Sequence, residues 1–94
     1  MMNTYIILRR SGWSSPEELQ EAAARSETTG EGMTDEIRWI RSYVMEENGG
    51  ALGTVCVYQA TSPEAIRRHA EIAVLPVDEI IPVMDTVVKR PDPQ

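Results

Sequence analysis

Phenylalanine is absent from this 94-residue chain, and there is one cysteine and one histidine. A lone cysteine excludes an intramolecular disulfide, so packing alone must hold the domain together. The lone histidine, His69, has alanines one turn away on either side, Ala65 and Ala73. A helix carrying it therefore cannot chelate a metal by itself. Positive charge is scarce: 9 Lys and Arg stand against 15 Asp and Glu, for a net charge of −6. That balance argues against nucleic acid, which needs a dense basic surface. The arginines Arg9-Arg10, Arg38, Arg41 and Arg67-Arg68 read as solvated faces or inter-element pairs, with anion binding as the lesser alternative. No apolar run is long enough to span a bilayer. Met1-Met2-Asn3-Thr4 lacks the basic-then-apolar layout of a signal peptide, so the expected location is cytoplasmic.

The organisation that is present is a repeat. Tyr5-Ile6-Ile7-Leu8 is a nearly continuous apolar run, which suits a buried central strand, and Ser11-Gly12 ends it. Ser15-Pro16-Glu17-Glu18 then predicts a helix start: Ser15 caps, Pro16 fits the first helical position and Glu18 completes a capping box. Leu19, Ala22, Ala23 and Ser26 form a stripe of mostly small residues, and Glu21 and Arg25 sit one turn apart as a pair. Thr28 to Gly32 reads as loop. From Ile37 the period changes to two, placing Ile37, Trp39, Arg41 and Tyr43 on one strand face and Arg38, Ile40, Ser42 and Val44 on the other. Asn48-Gly49-Gly50 supplies positive-φ positions for a hairpin. Thr54 to Ala60 returns as a strand. Thr61-Ser62-Pro63-Glu64 repeats the helix start, with Ala65, Ile66, His69, Ala70 and Ala73 on one face and Glu64 and Arg68 as a pair. Ile80 to Val88 reads as a last strand interrupted at Pro82.

The order β-α-β-β-α-β predicts an α+β, ferredoxin-like sandwich. It would be a four-stranded antiparallel sheet with two helices on one face. Length and pattern together give a single domain over residues 1–94, with a core of about 4–89 and a polar, frayed tail at 90–94. A chain this small buries only about 60–65% of the surface its unfolded form exposes. Helices can cover one face of the sheet, and the middle strands carry large apolar groups on both. A second copy covering the open face, and hence a homodimer, is the physical expectation.

The pattern Trp39-x-x-Ser42-Tyr43, Cys56-x-Tyr58-x-Ala60, Ile66-x-x-His69-Ala70 resembles a family of small bacterial proteins. The family was long classed as a domain of unknown function and is now labelled nickel-binding-protein-like. The resemblance runs from Tyr5 to about Val83. It implies the ferredoxin-like fold, a dimeric α/β-barrel type of pairing, and a divalent transition metal such as nickel. Two positions depart from the pattern. Leu8 stands where an acidic residue often precedes the arginine of the first strand, and the Glu46–Gly53 hairpin loop is longer than usual. Loss of a carboxylate weakens a metal site.

Several residues could carry chemistry. His69 and Cys56 are the soft donors that suit nickel, copper or zinc, but two ligands are few. The plain alternative for His69 is a hydrogen bond to a carbonyl or carboxylate at the helix–sheet boundary; for Cys56 it is the role of a small buried hydrophobe. Trp39, Tyr43 and Tyr58 either pack the core or dimer interface or, with His69, line a ligand pocket. Three functions follow. The first is a homodimeric binding protein for a divalent metal or small ligand near His69 and Cys56. The second is a cofactor-independent enzyme of monooxygenase or isomerase type on a small cyclic or aromatic substrate, with Tyr43, Tyr58, His69 and Arg41 in the pocket and His69 as general base. The third is a structural or regulatory interaction module.

Overall fold

A computed structural model describes residues 1–92; the last two residues of the expected polar tail lie outside the described residues. The elements are β1 (Asn3–Trp13), α1 (Pro16–Glu31), β2 (Ile37–Glu46), β3 (Leu52–Ala60), α2 (Pro63–Ala73) and β4 (Glu79–Pro82). They form a four-stranded sheet in the order β2-β3-β1-β4, every neighbouring pair antiparallel. This is the ferredoxin-like arrangement. β1 and β3 are central, and on both the residues alternate between buried and half-buried.

Both helices start as their capping residues dictate. Ser15 Oγ accepts from the Glu18 amide at 3.2 Å, and Ser62 Oγ accepts from the Ala65 amide at 3.2 Å. Glu18 closes its box one residue earlier than expected: its carboxylate takes the Ser14 amide and hydroxyl, each at 3.0 Å. α1 runs on through the segment expected as loop and stops at Glu31. The expected pairs within helices are replaced by longer-range contacts. Arg25 Nε donates to the Ala73 carbonyl at 2.8 Å, satisfying the end of α2, and Arg68 pairs with Glu36. Helix carbonyls left open at a terminus need such partners.

β1 extends past Ser11-Gly12 to Trp13, through an irregularity after Arg9 that puts Ser11 at φ 47°. β4 is shorter than expected and stops at Pro82, which has no amide to donate. The hairpin between β2 and β3 turns at Asn48–Gly50 with Gly49 at φ 78° and Gly50 at φ 84°.

The largest departure is a bulge in β2. Trp39 pairs with Tyr58, but Arg41 pairs with Val57, so Ile40 is an extra residue. The expected alternation holds only up to Trp39. Beyond the bulge, Ser42 and Val44 share the face of Trp39, while Arg41 and Tyr43 pass to the opposite one. A strand has a period of two, so one inserted residue exchanges the faces of all that follow.

α2 ends on Val74, which holds a left-handed conformation at φ 57°, ψ 61° and is 70% exposed. A β-branched residue is strained there, and glycine is not. Val74→Gly is expected to raise stability by about 1 kcal/mol, seen as a higher urea midpoint with an unchanged slope.

Candidate functional site

The helix-facing side of the sheet is built of cross-strand rows. Register places Trp39, Tyr58 and Tyr5 in one row, Ser42, Cys56 and Ile7 in the next, and Val44, Thr54 and Arg9 in a third. Small residues on α1 cover these rows incompletely. The result is a cavity of about 230 Å3 between α1 and the sheet, with Arg9, Thr54, Cys56 and Tyr58 in its lining. Both tryptophans of the chain, Trp13 and Trp39, line it. A second, larger cleft of about 630 Å3 lies on the other side of Trp39 and Tyr58, between the last turns of α1 and β2.

Tyr58 is the wall between the two spaces. Its ring stacks on Trp39, with centroids 6.1 Å apart and planes 7° from parallel, and meets His69 edge-on at 5.7 Å. Its hydroxyl shares a 2.9 Å hydrogen bond with Ser26 Oγ. Burial pushes the phenol's pKa up, a change only partly opposed by the Ser26 hydrogen bond and the nearby Arg9 charge.

His69 is 1% exposed. Its Nε2–H donates to the Ser26 carbonyl at 3.0 Å, leaving Nδ1 buried without a partner. Burial lowers its pKa, outweighing the carbonyl hydrogen bond, and the Arg9 charge lowers it further. The neutral ring is therefore the folded form. A depressed base in the folded state binds fewer protons than in the unfolded chain, so its contribution to stability is complete above the ordinary histidine pKa of about 6.5. That contribution falls away as the pH drops toward the folded value. Wild type is expected to lose stability between pH 7.5 and pH 5.5 at up to about 1.4 kcal/mol per unit, while His69→Gln removes this slope; urea melts across the range measure it.

Cys56 lies in a chain of donors. Trp39 Nε1 donates to Ser42 Oγ at 2.8 Å, Ser42 Oγ to Cys56 Sγ at 3.1 Å, and Cys56 Sγ to Thr54 Oγ1 at 3.3 Å. Cys56 lines the cavity under α1, whereas His69 lines the open cleft. The two soft donors thus belong to different spaces. Among the described residues no group of three or more His, Cys, Asp or Glu gathers as a metal would require. The donors of one chain do not fit a resident metal.

The expected aromatic set is also divided. Trp39 and Tyr58 line both spaces and His69 lines the cleft, but the bulge carries Tyr43 to the other face. There Tyr43 Oη donates to Asp92, which also pairs with Arg41 at 2.5 Å. A pocket of Tyr43, Tyr58, His69 and Arg41 is therefore not assembled.

Arg9 is the residue that sequence reading misplaced. It is 2% exposed, not solvated. Its Nη1 donates to the Pro76 carbonyl at 2.7 Å, and its Nη2 has no partner. A signal was available: Arg9 continues the two-residue period of Tyr5 and Ile7 on the buried face of a central strand.

These features define a ferredoxin-like α+β domain with a cavity under its first helix and a buried guanidinium in the cavity's lining. The chain belongs to the family described as nickel responsive protein SCO4226-like, which it matches over residues 5–83. The crystal structure of SCO4226 from Streptomyces coelicolor A3(2) has the same fold, with a TM-score of 0.69 at 16% identity, covering 89% of this chain and 99% of that one. No curated protein matches the chain. Among the described residues, no helix is long and apolar enough to cross a membrane.

Proposed function

We propose that this protein is a small homodimeric binding protein whose ligand occupies the cavity between α1 and the sheet. The observation that carries this reading is the cavity itself: a partly open space walled by two tryptophans and lined by buried polar side chains. Apolar walls with a few placed polar groups are the usual build of a small-molecule site. At about 230 Å3 the space is below the ~300–1,000 Å3 of drug-sized pockets, so the ligand is small. The family description brings nickel into consideration. A nickel site here would need donors from a second copy, since one chain's described residues do not gather them.

Homodimerisation is supported by the face of the sheet away from the helices. Register puts Ile6, Leu8, Val55, Val57 and Ile81 together there. The segment after β4 leaves one sheet edge and reaches β2 at the other, where Asp92 meets Arg41 and Tyr43. Along it Met84 is 100% exposed, and Val87 and Val88 are largely exposed. A second copy laid on this face covers both the sheet and these apolar side chains.

Tryptophan fluorescence tests the ligand site, because both indoles line it. Titration with benzoate and benzamide is expected to give a saturable change. Ala22→Leu, which fills the cavity from α1, is expected to abolish it with circular dichroism unchanged. No saturable change with either probe, or one untouched by Ala22→Leu, contradicts the reading. Titration with nickel chloride forms the third arm, and a saturable response insensitive to Ala22→Leu would favour a metal site elsewhere.

A further inference from the structure

We propose that the ligand of this cavity is a small organic monocarboxylate whose charge is met by Arg9 and whose apolar body lies between the tryptophans. This rests on the reading of the cavity as the binding site and specifies the chemistry it accepts.

A buried charge is costly unless paired. Arg9 is only 2% exposed, yet none of the ion pairs among the described residues involves it. The guanidinium is held in place through Nη1 on the Pro76 carbonyl, and Nη2, with its two hydrogens, is unspent. Arg9 lines the cavity, so its charge acts on whatever enters.

The neighbouring hydroxyls point to the same sign. Indole N–H can only donate. The chain that starts at Trp39 therefore passes its hydrogens through Ser42 and Cys56 to the Thr54 oxygen. The hydrogen of the Thr54 hydroxyl is left over, beside Arg9 in the same cross-strand row. Beyond the bond from Nη1 to Pro76, Arg9 Nη2 and the Thr54 hydroxyl hydrogen are donors facing the cavity beside the Tyr58 hydroxyl, an arrangement that selects an anion.

Charge balance narrows the class. One guanidinium neutralises one negative charge. A phosphate monoester carries about −1.5 to −2 at neutral pH and would bring excess charge against a largely apolar lining. A carboxylate brings one, and its planar oxygens match the guanidinium geometry. The remaining walls, among them Trp13, Leu19 and Leu75, suit a hydrocarbon or ring attached to it.

The experiment compares matched probes by tryptophan fluorescence: benzoate with benzamide, and hexanoate with hexanamide. Wild type is expected to bind each carboxylate at least about tenfold more tightly than its amide, the margin that charge-assisted hydrogen bonding supplies. Arg9→Met is expected to remain folded, since it removes a buried charge, and to lose the preference for carboxylates. Arg9→Lys keeps the charge and is expected to retain part of it. Equal affinity for carboxylate and amide, abolished by Ala22→Leu, would overturn this inference and leave the cavity a neutral-ligand site. No binding of any probe at millimolar concentration would overturn both. Should Arg9→Met fail to fold, Thr54→Val, which removes the hydroxyl at nearly constant shape, carries the test: it is expected to weaken the carboxylates severalfold and leave the amides unchanged, and equal weakening of both contradicts the inference.

Discussion

Tyr58→Ala is expected to cost about 3–5 kcal/mol, the range for truncating a buried aromatic. A domain of this size has a total stability of roughly 5–14 kcal/mol, so at least about a fifth of it rests on one side chain. Tyr58 is 2% exposed and is the meeting point of three elements: it stacks on Trp39 of β2, abuts His69 of α2 and bonds Ser26 of α1. Its removal joins the cavity to the open cleft, so probe binding is expected to fall with stability. Tyr58→Phe keeps the rings together and loses only the hydroxyl, costing about 1 kcal/mol. Urea denaturation separates the two; a loss below about 1 kcal/mol for the alanine variant would show that the stack is not a support of the fold.

Val57→Glu is expected to turn the proposed homodimer into a monomer. Val57 is half-buried at the centre of the sheet face that the helices leave open, between Ile6 and Arg41. A carboxylate there would be buried without a counter-charge in a face-to-face dimer, which costs several kcal/mol at each copy. In a monomer Val57 is half-buried, so the carboxylate still reaches water and costs less. Light scattering on a sizing column reads the result directly: twice the chain mass for wild type and one chain mass for the variant, with the same circular dichroism. A wild-type protein that runs as a monomer at high micromolar concentration contradicts the pairing.

Much of the fold was legible because local signals agreed with one another. The two Ser-Pro-Glu starts fixed both helix N-termini, and the caps at Ser15 and Ser62 form as their spacing requires. The order of elements along the chain was read from a repeat of the unit, and the match over residues 5–83 coincides with the expected span from Tyr5 to about Val83. Failures arose where a tertiary interaction overrode a local rule. Thr28 to Glu31 look like loop by composition but continue α1. Trp39, Arg41 and Tyr43 look like one face, and only pairing with β3 reveals the bulge that separates them. The candidate site was half legible for the same reason. Trp39, Tyr58 and His69 do converge, while Tyr43 is carried away and Cys56 looks into a different space. Arg9 was hidden by the convention that charge belongs outside, although its position in the period of β1 said otherwise. What no sequence pattern contained was the void: a cavity is set by how far small residues on α1 stand from the sheet.

Chemical-shift mapping of the protein with benzoate tests the central claim most directly. Amide and indole resonances of Trp13, Trp39, Ser42, Thr54 and Cys56 are expected to move together along one saturable curve, with Arg41, Tyr43 and the open sheet face still. Shifts confined to Glu27, Glu31 and His69 in the open cleft, or to the open sheet face, would place the ligand elsewhere and contradict the account.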